Sequence, residues 1–239
     1  MTVFEEGIDV SRYQGAVDWN AVRRAGKRFA LVRLGSSNQS GPYVDPYFSR
    51  NVEQAHQAGL RVGAYYYTYA KTQQQVIAEI TPLLKELEGK RLEYPVYVDV
   101  EDASLVSMGK DALTSLVKFS MDILDQKGWF PGYYSYTEFL RRNLDTRRLE
   151  SYPLWVADYR GSVGYVGEYG MWQYSSVGRV DGVSGNVDLD YSYKDYLPEI
   201  RAARKNGYGE QDPDCREEEY RQKWLASEKK LQQVREIVN

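Results

Sequence analysis

The stretch YPVYVDVEDAS, residues 94–104, reads as a buried strand that carries two carboxylates, Asp99 and Glu101, at alternate positions just before it ends. Residues two apart on a strand point to the same face, and a rise of about 3.3 Å per residue puts their Cα atoms roughly 6.6 Å apart. Like charges at that distance on a partly desolvated floor raise the proton affinity of one group, leaving an acid beside a base. Acidic residues at a strand end also cap the helix that follows, a role open to Asp102.

Outward from this stretch, runs rich in β-branched and aromatic residues alternate with helical patterns. EGIDVSRY, FALVRLGS and RVGAYYYTYA precede it as strands, and GYYSYTEFL, PLWVADY, GMWQYSS and NVDLDYS follow it. Between the early strands lie DWNAVRRAG, with Asp18 as cap and Gly26 as stop, and DPYFSRNVEQAHQAG, with Asp45 as cap, Pro46 in the first turn and Gly59 as stop. Val76, Ile80, Leu83, Leu84 and Leu87 mark a helix over 73–88, and a fourth runs over 111–126. Strands alternating with helices predict an α/β fold, here a modified (β/α) barrel of eight strands whose second half has lost helices, leaving fewer than eight. Both faces of a barrel strand are covered, so carboxylates near its carboxyl end need a reason.

The barrel is expected to fill residues 1–198. Residues 199–239 are charge-dense and without strand pattern; Tyr220, Trp224, Leu231 and Val234 fall near one stripe, predicting a helix over about 213–238. Such a helix has to bury its stripe against the barrel, a second copy or a partner.

A chain of 239 residues with 42% hydrophobic residues can bury a substantial core, and its net charge of −3, without a lysine/arginine stripe, gives no footprint for nucleic acid. One cysteine, Cys215, and one histidine, His56, exclude an internal disulfide and the usual Cys/His zinc sites; His56 lies on a helical pattern and reads as structural. No run is long and apolar enough to span a membrane, and the amino terminus lacks a basic segment followed by an apolar one, so synthesis in the cytoplasm without a signal peptide is expected. The unusual count is 22 tyrosines against 6 phenylalanines. A tyrosine has a flat apolar face and a polar tip, which suits sugar rings and also suits strands.

Other strands also end in acids: Asp9 in GIDVS, Asp158 in WVADY and Asp188 in NVDLDYS. Barrel sites form at such ends. A convergent acid cluster can serve proton transfer at a glycosidic bond or hold a divalent metal. The aromatics favour sugars: Tyr65, Tyr67 and Tyr69 share a strand face, and Tyr134, Trp155, Trp172 and Tyr174 sit near other strand ends.

These segments, in this order and spacing, resemble glycoside hydrolase family 25, the N-acetylmuramidase lysozymes of phage endolysins and bacterial autolysins. GIDVSRYQGAVDW, FALVRLGSS, YVDPYFSRNVEQAHQAGLRVGAYYYTYA, YVDVE, PLWVADY and MWQYSSVGRVDGVSGNVDLDYS carry the resemblance, over about residues 6–196. It implies hydrolysis of the β-1,4 bond between N-acetylmuramic acid and N-acetylglucosamine in bacterial peptidoglycan, on a flattened barrel, without cofactor or metal. It also implies Glu101 as proton donor, Asp99 as the group that orients the acetamido nucleophile of the substrate, and Asp9 and Asp188 as tuning acids. Arg33, Tyr65, Tyr67, Asp158, Trp172, Gln173 and Tyr174 line the groove by the same resemblance. Asp190 stands where the family commonly has asparagine. A phage endolysin released to the wall through a holin is the expected setting. The competing readings are a metal-dependent phosphoesterase using Asp9, Asp99, Glu101 and Asp188, a non-catalytic wall-binding module, and a scaffold for whatever the tail binds.

Overall fold

The computed structural model describes residues 1–38 and 40–209 and a few helical positions between 221 and 230. Nine strands form one sheet: β1 (Glu5–Val10), β2 (Phe29–Asn38), β3 (Gly41–Val44), β4 (Arg61–Tyr67), β5 (Val96–Asp99), β6 (Pro131–Tyr136), β7 (Leu154–Ala157), β8 (Met171–Gly178) and β9 (Val187–Ser192). Their order is β1-β9-β8-β7-β6-β5-β4-β2-β3, and pairing of β1 with β2 closes eight of them into a barrel. Within the barrel β1, β2, β4, β5, β6, β7 and β8 run parallel to their neighbours, while β9 runs antiparallel to both β8 and β1. All eight expected strands are present. The ninth, β3, is a hairpin arm folded back on β2, with Gly35 opposite Val44.

Helices α1 (Trp19–Arg24), α2 (Phe48–Gln57), α3 (Gln73–Leu87), α4 (Lys110–Gln126) and α5 (Thr137–Asn143) follow β1, β3, β4, β5 and β6, and α6 (Leu197–Ala202) closes the sequence after β9. Among the described residues no α-helix lies between β7 and β9, so the second half of the barrel is the thinly covered one. Asp18 caps α1, accepting the Ala21 amide at 3.0 Å. Asp45 does not cap α2, which starts at Phe48 without a side-chain cap. Its carboxylate is buried and taken by the Arg33 Nε, the Arg12 amide and the Tyr47 amide instead. The TEFL end of the fifth expected strand is also different: β6 stops at Tyr136 and Thr137 opens α5.

Two apolar layers follow from strand alternation. Ile8, Ala30, Val32, Val62, Val96, Val98 and Val156 point outward onto Val76, Ile80, Leu113, Val117 and Leu124 of the helices. Phe29, Leu31, Tyr97, Tyr134, Trp155 and Met171 fill the barrel interior. Large rings fit inside because glycines stand beside them. A Cβ on Gly132 would lie 2.5 Å from the Tyr97 ring, and one on Gly63 would lie 2.6 Å from both Leu31 and Tyr94. Much of the tyrosine excess is therefore core: Tyr66, Tyr94, Tyr97, Tyr133 and Tyr196 are all buried.

The amino-terminal end of the barrel is plugged from below. Asn206, fully buried, donates to the carbonyls of Leu92 and Tyr94 and accepts the Phe130 amide, joining the entrances of β5 and β6. Tyr208 donates to Glu93 at 2.8 Å, and Glu93 also meets His56 Nε2 at 2.9 Å, so the histidine ties α2 to this plug. The packing of the barrel thus continues past Pro198 to Tyr208. Most of the tail helix expected from the sequence, including Tyr220, Leu231 and Val234, lies outside the described residues; Trp224, within them, is helical and 62% exposed. Among the described residues no helix is long and apolar enough to cross a membrane.

Candidate active site

The parallel strands deliver their side chains to one rim, and β9 enters at that rim because it runs the other way. Asp9 on β1 is therefore directly opposite Asp188 on β9, and Gln173 on β8 is opposite Asp190. Across the barrel, Asp99 ends β5 between Tyr67 of β4 and Tyr134 of β6. Glu101 follows two residues later, half-buried at the mouth. Four of the expected acids, Asp9, Asp99, Glu101 and Asp188, are thus brought to one floor, with Asp190 as a fifth.

Hydrogen bonds hold this floor rigidly. Gln173 donates to Asp9 Oδ2 at 2.6 Å and accepts from the hydroxyls of Tyr134, at 2.8 Å, and Tyr159, at 2.6 Å. The Trp155 indole donates to Asp190 Oδ1 at 2.9 Å. Asp9 faces Asp188 across the β1–β9 pair and is coupled electrostatically to Asp188 and Asp190, so the three do not all ionise together.

Burial dominates the proton affinities. Asp99 is pushed well above the usual carboxylate range by burial and then by Glu101, with Arg33 pulling the other way. Asp9 rises through burial, Asp188 and Asp190; Asp190 rises through burial and Asp188. Burial lifts Asp188 to about 6, moderated by its bond to Asp9. Burial, Asp188 and Asp102 bring Glu101 to about 7. A carboxyl at that value still holds its proton near neutrality and sits where it can give it away. The Oδ1 atom of Asp99 is buried and has no partner within the chain.

The expected groove residues fall into three places. Arg33 and Tyr67 line an open cleft of about 750 Å³ beside the floor, with Tyr69 and the arm β3 as its far wall. Tyr67 also donates to Asp102 at 3.2 Å, while Asp102 caps the turn after β5 through the Ser104 amide. Tyr65 and Tyr134 are buried, their rings packed on Trp155 at 5.7 and 4.4 Å. They support the floor from beneath. Trp172 and Tyr174 flank Gln173 on β8 and project to the opposite face, where Tyr174 stacks on Tyr191 at 4.2 Å. The structure does not bring those two to the acids. Asp158 is turned aside as well: its carboxylate is enclosed by Thr137, Arg160 and the Gly164 amide, and these bonds hold it far below the usual range. Sequence reasoning passed over Trp155 as an acid ligand, Tyr159, and Asp45 as the anchor of Arg33. Only tertiary contacts reveal them.

Among the described residues, no three His, Cys, Asp or Glu side chains stand close enough to hold a metal ion together.

The model of Glycosyl hydrolases family 25 matches residues 8–183. The autolytic lysozyme of Clostridium acetobutylicum is 32% identical over 192 residues, covering 77% of this chain and 55% of that protein. This chain thus spans little more than half of that relative. Among solved structures, the Streptomyces coelicolor bacterial lysozyme superposes with a TM-score of 0.68 over 87% of this chain and all of that one, at 23% identity, a likeness of fold. The modular autolysin LytC of Streptococcus pneumoniae, solved with a synthetic peptidoglycan ligand, superposes with a TM-score of 0.69 at 27% identity, over 79% of this chain and 46% of that one. With the barrel, its inserted antiparallel strand and the acid floor in place, the chain belongs to glycosyl hydrolase family 25.

Proposed function

We propose that this chain is a muramidase that cleaves the β-1,4 bond between N-acetylmuramic acid and N-acetylglucosamine, with Glu101 as general acid. The observation that carries the reading is Glu101 itself: half-buried at the cleft mouth, surrounded by acids that cannot all ionise, and lifted to about 7. It gives its proton to the leaving glycosidic oxygen. Asp99 has a buried oxygen without a partner, and burial and Glu101 raise its proton affinity. With Glu101 holding the pair's proton and Arg33 acting against that rise, Asp99 is the member left to ionise, accept the acetamido N–H of the substrate and aim the acetamido oxygen at the anomeric carbon. The same carboxylate offsets the positive charge that develops on the sugar. Asp188 and Asp102 help keep the proton on Glu101, and Asp188 together with Asp9, which Gln173 holds, positions water for the second step.

Mass spectrometry of the products from purified peptidoglycan tests this. New reducing-end muramic acid is expected; new free amines without reducing ends would make the chain an amidase or peptidase. Relatives come from bacteria and from phages, among them the lysozymes of Lactococcus phage mv1 and Streptococcus phage Cp-7. Within the proposal the chain is a phage endolysin that reaches the wall through a holin. A holin gene beside the coding sequence is the result expected, and a bacterial chromosomal locus without phage genes would refute it.

A further inference from the structure

The cleft has one arm, carrying Arg12, whose chemistry the cleavage reaction leaves largely unused. Floor and arm have opposite charge. Asp9, Asp99, Glu101, Asp188 and Asp190 make the floor acidic, while the arm between the β1–α1 turn and β3 presents two guanidinium groups, Arg12 and Arg33. Both lie against the Tyr13 ring, at 5.3 and 5.0 Å, and Arg12 also lies 5.0 Å from the centre of the Tyr43 ring. Asp45 pairs directly with one of these guanidinium groups only. Its Oδ2 accepts Arg33 Nε at 3.1 Å and the Arg12 backbone amide at 3.0 Å, and its Oδ1 accepts the Tyr47 amide, so it acts on the Arg12 side chain only through its charge. Of the other nearby acids, Glu79 is buried behind the wall and consumed by Ser37, Thr68 and the Tyr69 amide, and Asp102 is engaged by the Ser104 amide and the Tyr67 hydroxyl. Arg33, itself 9% exposed, has its Nη2 without a partner. Tyr13, 74% exposed, and Tyr69, 42% exposed, keep aromatic faces open to solvent beside these cations.

An exposed arginine lying against two aromatic rings is partly ordered before anything binds, and a guanidinium matches a carboxylate in two parallel hydrogen bonds. The N-acetylated sugars of peptidoglycan are neutral. Its carboxylates belong to the lactyl substituent of muramic acid and to the peptide attached there. We propose that this arm, built on Arg12, Tyr13, Arg33 and Tyr43, is a carboxylate subsite that takes the acidic substituent of a muramoyl residue and thereby sets the direction in which the strand lies across Glu101. The acid floor repels the same substituent, so both ends of the cleft favour one orientation. The inference rests on the muramidase reading and adds to it a substrate class: strands bearing an unblocked carboxylate.

Three substrates of equal strand length separate the possibilities: peptide-bearing strands, amidase-treated strands whose lactyl carboxylate is free, and amidase-treated strands with that carboxyl reduced to the alcohol. For Arg12→Ala, the ratio of kcat/KM on charged strands to that on reduced strands falls about five- to tenfold relative to wild type, through KM, as expected for one solvent-facing charge-assisted pair. A fall confined to peptide-bearing strands identifies the peptide carboxylate as the occupant; a fall on amidase-treated strands identifies the lactyl carboxylate. Arg12→Glu deepens the fall. An unchanged ratio in both variants overturns the subsite, whatever happens to the absolute rates. Wild type releasing no reducing ends from any of the three is a different result, which removes the muramidase reading and this one with it.

Discussion

Asp190 shows how much one buried side chain carries in this floor. It is fully buried, its Oδ1 receives the Trp155 indole, and its Oδ2 has no partner within the chain. A neutral asparagine keeps the Trp155 bond with its oxygen and puts a donor nitrogen in place of the unpartnered Oδ2. Asp190→Asn should therefore keep kcat/KM within about threefold of wild type, whereas Asp190→Leu, which strands the Trp155 donor, should lose about 1–3 kcal/mol of stability in denaturant unfolding as well as activity. A severe loss in Asp190→Asn would mean that the Asp190 charge itself is used. At this scale the sequence was most informative about acids at strand ends and least about aromatics. Tyr65 and Tyr67 share one run and one strand face, and only depth in the closed barrel decides that Tyr65 is enclosed and Tyr67 is not. Asp45 was misread because a D-P pair before a helix looks like a cap, and the partner that diverts it, Arg33, is twelve residues away.

Elements were legible where their periodicity was strong. The eight barrel strands and helices α1 to α4 follow from β-branched runs and helical stripes with Gly stops. The arm β3 has the sequence GPYV, whose Gly and Pro read as a turn, and it becomes a strand only because β2 overshoots the barrel and offers a free edge. The start of α5 was hidden inside an aromatic run. The plug below the barrel was hidden too, because an asparagine in KNGYG carries no signal of its three buried hydrogen bonds. Asn206→Ala leaves those backbone groups unpaired in the interior and should cost about 2–4 kcal/mol, read as a lower denaturation midpoint with unchanged m-value. A loss below about 0.5 kcal/mol would show that water replaces the side chain there and that the plug is not structural.

For the whole molecule the coupled acids have a thermodynamic consequence. Their folded-state proton affinities are raised, so the folded protein holds more protons than the unfolded chain above about pH 4, and stability falls as pH rises through the range ending near 6 for Asp188 and near 7 for Glu101. Denaturant midpoints should therefore drop between pH 5 and 8, and drop less in Asp188→Asn. Removal of divalent metal by chelator should leave activity intact; loss that magnesium or manganese restores would favour the phosphoesterase reading. The claim beneath all of this is that burial and neighbouring acids make Glu101 the proton donor, and the pH profile of kcat/KM on intact walls, for wild type beside Glu101→Gln, tests it most directly. Wild type should lose activity above about pH 7 as Glu101 ionises, and folded Glu101→Gln should be slower by about 100-fold or more with that alkaline limb gone. Near-normal turnover in folded Glu101→Gln, or a limb that persists unchanged without the carboxyl, would contradict it.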